Sequence, residues 1–170
     1  TPALTQGPDC LRDVPQREDL REGLPGVPLR LLLRVRDRAC RPLQGARVDL
    51  WHTDALGRYS GVNAPGTFCR GWQATDERGE VAFLTLFPGW YPSRTPHLHL
   101  RVEAGGRVFA TQLFFPEEVQ RQVYALPPYR ERGMPRVNNR QDGLFRADLL
   151  LRLEREGEAY RGAFVLTLPG

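Results

Sequence analysis

From Leu29 onward the chain alternates: Leu29, Leu31, Leu33 and Val35 occupy one set of positions and Arg30, Arg34 and Arg36 the other. A period of two is the signature of a strand buried on one face. Pro42 and Gly45 break the pattern between Cys40 and Gly45, and alternation resumes through Gly45-Ala46-Arg47-Val48-Asp49-Leu50-Trp51. Further strands are predicted over Val81 to Phe87, His97 to Val102, Val108 to Phe115, Ala147 to Leu153 and Ala163 to Leu168. Many short strands separated by turn residues predict an all-β protein, an antiparallel β-sandwich with long loops.

Helix is expected in one place. Pro116-Glu117-Glu118 suits a first turn, and Val119 and Val123 supply an i, i+4 apolar pair, so one or two turns are predicted there. The stretch from Leu126 to Gly143 holds three prolines, two glycines and two asparagines with little periodicity, and is expected to be a long surface loop. Residues 1–28 are rich in proline, glycine and charge, giving an extended N-terminal arm ahead of a single sandwich domain over 29–170.

Composition excludes several classes. The chain is 41% hydrophobic and 26% charged, and no apolar run approaches the roughly 18 residues of a membrane span. All 24 basic residues are arginine, spread along the chain rather than gathered in blocks. No recognition helix, RNP-like aromatic pair or finger spacing accompanies them, so nucleic acid is not an expected partner. The net charge of +4 gives at most a weak field favouring anionic aromatic acids. Cys10, Cys40 and Cys69 lack a C-x-x-C arrangement; buried thiols are expected ahead of one disulfide. The chain opens at Thr1 without a leader, and the expectation leans to export after leader removal, with a cytoplasmic location as the alternative.

Candidate chemistry concentrates in Pro88-Gly89-Trp90-Tyr91-Pro92-Ser93-Arg94-Thr95-Pro96-His97-Leu98-His99. Residues two apart on a strand share a face, so His97 and His99 can address one metal while Leu98, Leu100 and Val102 turn to the core. Imidazoles suit zinc, copper, nickel and iron alike, and the pair is equally readable as two packed histidines. Tyrosine narrows the choice, because a phenolate is a hard anion that favours a ferric ion, whose charge pulls the phenol pKa far below about 10. The candidates are Tyr91 and Tyr59, the latter in Trp51-His52-Thr53-Asp54-Ala55-Leu56-Gly57-Arg58-Tyr59-Ser60-Gly61. Either alone is more often a packing residue.

These stretches, with Pro42-Leu43-Gln44-Gly45-Ala46, Arg70-Gly71-Trp72-Gln73-Ala74-Thr75-Asp76 and the opening Thr5-Gln6-Gly7-Pro8, resemble the intradiol ring-cleaving dioxygenases, from about Thr5 to Gln112. That family includes catechol, hydroxyquinol and protocatechuate dioxygenases. Gln6 stands where the family has an acid. The resemblance implies a non-haem iron(III) held by Tyr59 and His97 as equatorial ligands and by Tyr91 and His99 as axial ones, with solvent hydroxide completing the shell. It implies that a small aromatic diol is opened by O₂ between its hydroxyl-bearing carbons to a cis,cis-muconate-type product. It also implies that Tyr91 leaves the metal when the diol binds, that Arg94 lies beside the substrate, and that Gln112 helps to orient it. His52 is not a ligand in the family pattern. Trp51 is expected in the sandwich core, Gly57 and Gly61 in turns around Tyr59, and Asp54 and Asp76 as turn anchors.

Two readings compete. A non-catalytic transthyretin-like binding sandwich shares the Gly-Ala-x-Val strand but has no need of Tyr59, Tyr91, His97 and His99 together. A zinc hydrolase would use the two histidines yet lacks an evident third ligand and general base.

Overall fold

The computed structural model describes residues 1–170. Eight strands form two four-stranded sheets: β1 (Pro28–Arg36), β2 (Arg47–Trp51), β3 (Arg70–Ala74), β4 (Glu80–Leu86), β5 (His97–Ala104), β6 (Arg107–Phe114), β7 (Arg152–Glu156) and β8 (Ala159–Thr167). The strand orders are β4-β1-β8-β7 and β3-β2-β5-β6. The one α-helix, α1 (Glu117–Tyr124), makes two turns with Glu117 and Glu118 at its positive end, as its sequence predicts.

The all-β sandwich is borne out, with one refinement. Every sheet pair is antiparallel except β1 with β8, which run parallel. A hairpin forces antiparallel pairing, but β8 reaches β1 only after the intervening strands, so no turn constrains its direction.

Three segments depart from the sequence pattern. Ala147–Leu149 is a short 3-10 turn rather than strand, and the strand proper starts at Arg152. Its apolar run buries Leu149 and Leu151 without extending, an ambiguity inherent to short apolar runs. β3 carries no alternation, because Gly71 sits under the Leu20 side chain, where a Cβ would collide. The 126–143 segment lacks regular structure apart from a 3-10 turn at Asn139–Gln141, yet it buries Tyr129, Asn139 and Asp142. It is a packed loop and not a free surface loop.

β1 turns Leu29, Leu31, Leu33 and Val35 toward Val48, Leu50, Leu98, Leu100 and Val102 of the facing sheet, and all nine are buried in one cluster. Each such side chain contributes roughly 1.5–3 kcal/mol through removal from water. Alternation then leaves the opposite face of β2 and β5 for other work: Trp51 lies across from His99 in the ladder, and His99 across from Gln112.

The N-terminal residues cross that outer face. Leu4 N–H donates to Ala110 O on β6 (2.9 Å), at one edge of the sheet, and Gln16 bridges Trp72 on β3, at the other. Leu20 is fully buried. All three cysteines are free; Cys69 is buried, Cys10 half-buried and Cys40 exposed, so the buried-thiol expectation fails at Cys40. Burial raises the Cys69 thiol pKa to about 12, which leaves it protonated and unreactive.

Candidate metal centre

Two loops meet above the end of β5. The first leaves β2 at Trp51 and turns at Asp54, whose Oδ1 accepts the Leu56 and Arg58 amides (3.0 and 2.9 Å). Gly57 follows at φ +78°, in the left-handed region that favours glycine, and the chain delivers Tyr59. The second loop runs through Gly89 to Tyr91. The loops are joined by Gly89 N–H to Asp54 O (2.8 Å) and by the Thr53 hydroxyl to Gly89 O (2.9 Å). A Cβ at Gly89 would collide with the Ala55 carbonyl, and one at Gly57 with the Trp90 carbonyl. These backbones touch because neither glycine has a side chain. Gly89→Ala is therefore expected to force the loops apart, lowering unfolding stability by about 3 kcal/mol. Urea unfolding checks this; a protein of unchanged stability would contradict it.

The loops and β5 bring four donors together. Tyr59 Oη lies 3.3 Å from Tyr91 Oη, 3.4 Å from His97 Nε2 and 3.0 Å from His99 Nε2. Tyr91 Oη is 3.2 Å from His97 Nε2, and the two Nε2 atoms are 3.0 Å apart. Two ligands about 2.1 Å from one ion, at roughly 90° to 110°, stand about 3.0 to 3.4 Å apart. The spacing is that of a coordination shell.

Protonation agrees with such a role. His97 Nδ1 lies 2.7 Å from Thr95 O, an acceptor, so the ring proton sits on Nδ1 and the Nε2 lone pair faces the cluster. Burial first, then the nearby Arg94 charge, lowers the His97 pKa to about 3; burial and the neighbouring His97 drive His99 down as well. Both imidazoles are held neutral. Burial raises the pKa of both phenols, reinforced at Tyr59 by the neighbouring Tyr91, so losing their protons requires a cation among them. Two neutral imidazoles and two phenols around one point fit a hard, strongly Lewis-acidic ion.

Arg94 sits beside this cluster, its Nη1 3.4 Å from His97 Nε2. Its Nε donates to Asp142 Oδ2 (2.7 Å) and its Nη2 to Gln112 Oε1 (2.7 Å), while Gln112 Nε2 donates to Thr5 O (3.0 Å). Asp142 is fully enclosed and also accepts the Thr95 and Leu144 amides. Burial pushes its carboxyl pKa up, but Arg94 and those amides outweigh that, leaving it below the usual range and ionised. Asp142 escapes sequence reasoning because it lies 48 positions from Arg94 in a loop without periodicity.

His52 stands outside the site, with Nδ1 2.7 Å from Thr53 O and Nε2 2.7 Å from the Thr85 hydroxyl. Trp51 corrects an expectation. Leu50 takes the core side of β2, so Trp51 points outward and stacks on the His99 ring, with centroids 5.0 Å apart and planes 7° from parallel.

Burial lowers the His52 pKa from its ordinary 6.5 to about 4. The fold thus holds the neutral ring, and acid favours the unfolded chain. His52 stabilisation is complete above about pH 6.5 and lost as pH falls through about 4, about 3 kcal/mol in all. His97 and His99 act in the same direction in metal-free protein. Urea titrations of that protein between about pH 7.5 and about pH 4.5 should show a steadily falling unfolding free energy; a level one would refute the assignment.

A sequence model of the family described as Dioxygenase matches residues 5–125. The chain belongs to the intradiol ring-cleaving dioxygenases. An intradiol ring-cleavage dioxygenase from Tetranychus urticae superposes on it with a TM-score of 0.92 and 32% identity, over 98% of this chain and 92% of that one. The dioxygenase domain of a dioxygenase carbohydrate-binding protein fusion from Streptomyces sp. SirexAA-E gives a TM-score of 0.81 and 36% identity, over 99% and 97%. A chlorocatechol 1,2-dioxygenase from Rhodococcus opacus is 28% identical over 137 residues, covering 67% of this chain and 53% of that protein. The chain spans about half the length of the curated relatives it matches. Within this intradiol family the likeness extends past Gln112, through α1 and the 126–143 loop that supplies Asp142.

Proposed function

We propose that this chain is a non-haem iron(III) dioxygenase that opens a catechol-type ring between its two hydroxyl-bearing carbons with O₂, giving a cis,cis-muconate-type diacid. The supporting observation is the convergence of Tyr59, Tyr91, His97 and His99, five of whose six donor pairs stand 3.0 to 3.4 Å apart. These four residues would hold the ion. When bound, ferric iron supplies Lewis acidity and an electron acceptor that make an electron-rich diol reactive toward O₂.

The chain's own groups have distinct tasks. Tyr59 is buried and its backbone N–H donates to Asn63 Oδ1 (2.7 Å), which fixes its place in the loop and suits a permanent ligand. Tyr91 is half-buried on the solvent side, so its Oη is placed to take up one of the two protons a diol sheds on binding. Arg94, held by Asp142 and Gln112, presents a fixed positive charge beside His97, where negative charge develops on the bound ring. Gln112 ties that arginine to Thr5 and thus to the arm covering the site.

The transthyretin-like reading gives no reason for two phenols and two imidazoles to meet. The zinc reading lacks a base, since the nearby Asp142 is committed to Arg94. The test is a visible absorption spectrum with metal analysis, followed by addition of catechol and identification of the product. Expected are about one iron per chain, a phenolate-to-iron band that moves to longer wavelength with catechol, and a muconate-type product. A colourless protein with stoichiometric zinc, or cleavage outside the two hydroxyls, would overturn the proposal.

A further inference from the structure

Arg70, the first residue of β3, is 1% exposed and takes part in none of the chain's ion pairs. Its Nε donates to Ser60 O (2.9 Å) and its Nη1 to Asp9 O (2.6 Å), both uncharged carbonyls, while Nη2 has no protein partner. A buried guanidinium without a counter-charge is strongly unfavourable, so such a group is retained where some anion faces it. The ring it lies against is that of Tyr59, with the guanidinium carbon 6.0 Å from the ring centroid. The ladder also places Arg70 opposite Trp51, which is opposite His99, so one row across β3, β2 and β5 links Arg70 to one of the four donors. Arg94 has Asp142 as its ion-pair partner; Arg70 has none, and the Asp9 carboxylate of the arm acts on it only from beyond ion-pair distance.

We infer that Arg70 is a positioning residue whose fixed positive charge sets the energy of the electrons on the Tyr59 oxygen and thereby the strength of that ligand. The inference rests on the iron-phenolate reading above. Without a metal the ring beside Arg70 is a neutral phenol; with it, Tyr59 becomes a phenolate whose lone pairs feel the Arg70 charge together with that of the ion. The carbonyl contacts to Ser60 and Asp9 fix the guanidinium height above the ring, and they bind it to the loop that carries Tyr59 and to the arm that covers the site.

The test compares iron-loaded Arg70→Met, Arg70→Gln and Arg70→Lys proteins by visible spectroscopy and by iron loss to a chelator. Removing a positive charge raises the phenolate electrons toward the metal level. Arg70→Met should therefore move the band to longer wavelength by on the order of 10 nm, the scale set by one unit charge about 6 Å away in a protein medium. It should also release iron roughly 10-fold less readily, because a more electron-rich phenolate is the stronger ligand and one charge that repels the ion is gone. Arg70→Lys, which keeps the charge, should return both readouts most of the way. Equal shifts in the Lys and Met proteins, or a wild-type band and wild-type iron retention in Arg70→Met, would overturn the inference. If Arg70→Met does not fold, the Gln and Lys proteins make the same comparison. A wild-type protein with no band at all removes the iron-phenolate reading and this inference together; a normal wild-type band unmoved by Arg70→Gln removes only the inference.

Discussion

Tyr59→Phe is expected to leave a folded protein that has lost its phenolate-to-iron colour and most of its iron. The substitution deletes one oxygen from a cluster in which Tyr59, like His97, contacts all three other donors. Partners outside a metal's ligand shell are worth roughly 10- to 100-fold in affinity, so removing a ligand should weaken iron binding by at least about 100-fold. Stability should change little, within about 1 kcal/mol, because the ring stays and only a hydroxyl is lost. Iron content after dialysis, the visible spectrum and a urea titration together decide it. A coloured, iron-replete Tyr59→Phe protein would remove Tyr59 from the site and leave the proposed chemistry without its central ligand.

Arg94→Ala is expected to separate binding from turnover. The iron and its colour should remain, since the four donors are untouched, while kcat falls about 10²- to 10³-fold through loss of one aligned charge at the reacting centre. A second effect accompanies it. Asp142 is enclosed and ionised, and removing its partner should destabilise the fold by roughly 3–5 kcal/mol. The double substitution Arg94→Ala with Asp142→Asn should recover much of that stability without recovering turnover. Unchanged kcat at normal iron content would reject a substrate-facing role for Arg94. Failure of the double substitution to restore stability would show that the Arg94–Asp142 pair is not what the single substitution breaks.

Sequence and structure agree closely where local periodicity carries the information. β1 and β5 were legible because alternation with a buried face fixes both the element and its inward residues, and the same rule placed His97 and His99 together on the other face. Asp54 and Asp76 were legible as turn anchors because their side chains bond amides two and four residues ahead. β3 was not, since its sequence answers to Leu20 of the arm, some 50 positions away, and not to its own alternation. Trp51 was misplaced because residue type suggested a core, whereas parity along β2 had already assigned it to the outer face.

The sequence by itself determined the fold class, the strand that bears the histidine pair and, through family resemblance, the identity of the four donors. Only the tertiary structure decided that five of the six donor pairs lie within 3.4 Å, that Asp142 holds Arg94, that Arg70 is buried without an ion-pair partner, and that the N-terminal arm covers the site. The reason is range. Alternation and turn chemistry act over a few residues, while the partners of Arg94, Arg70 and Gln112 lie 48, 61 and 107 positions away and are chosen by how two sheets and their loops pack.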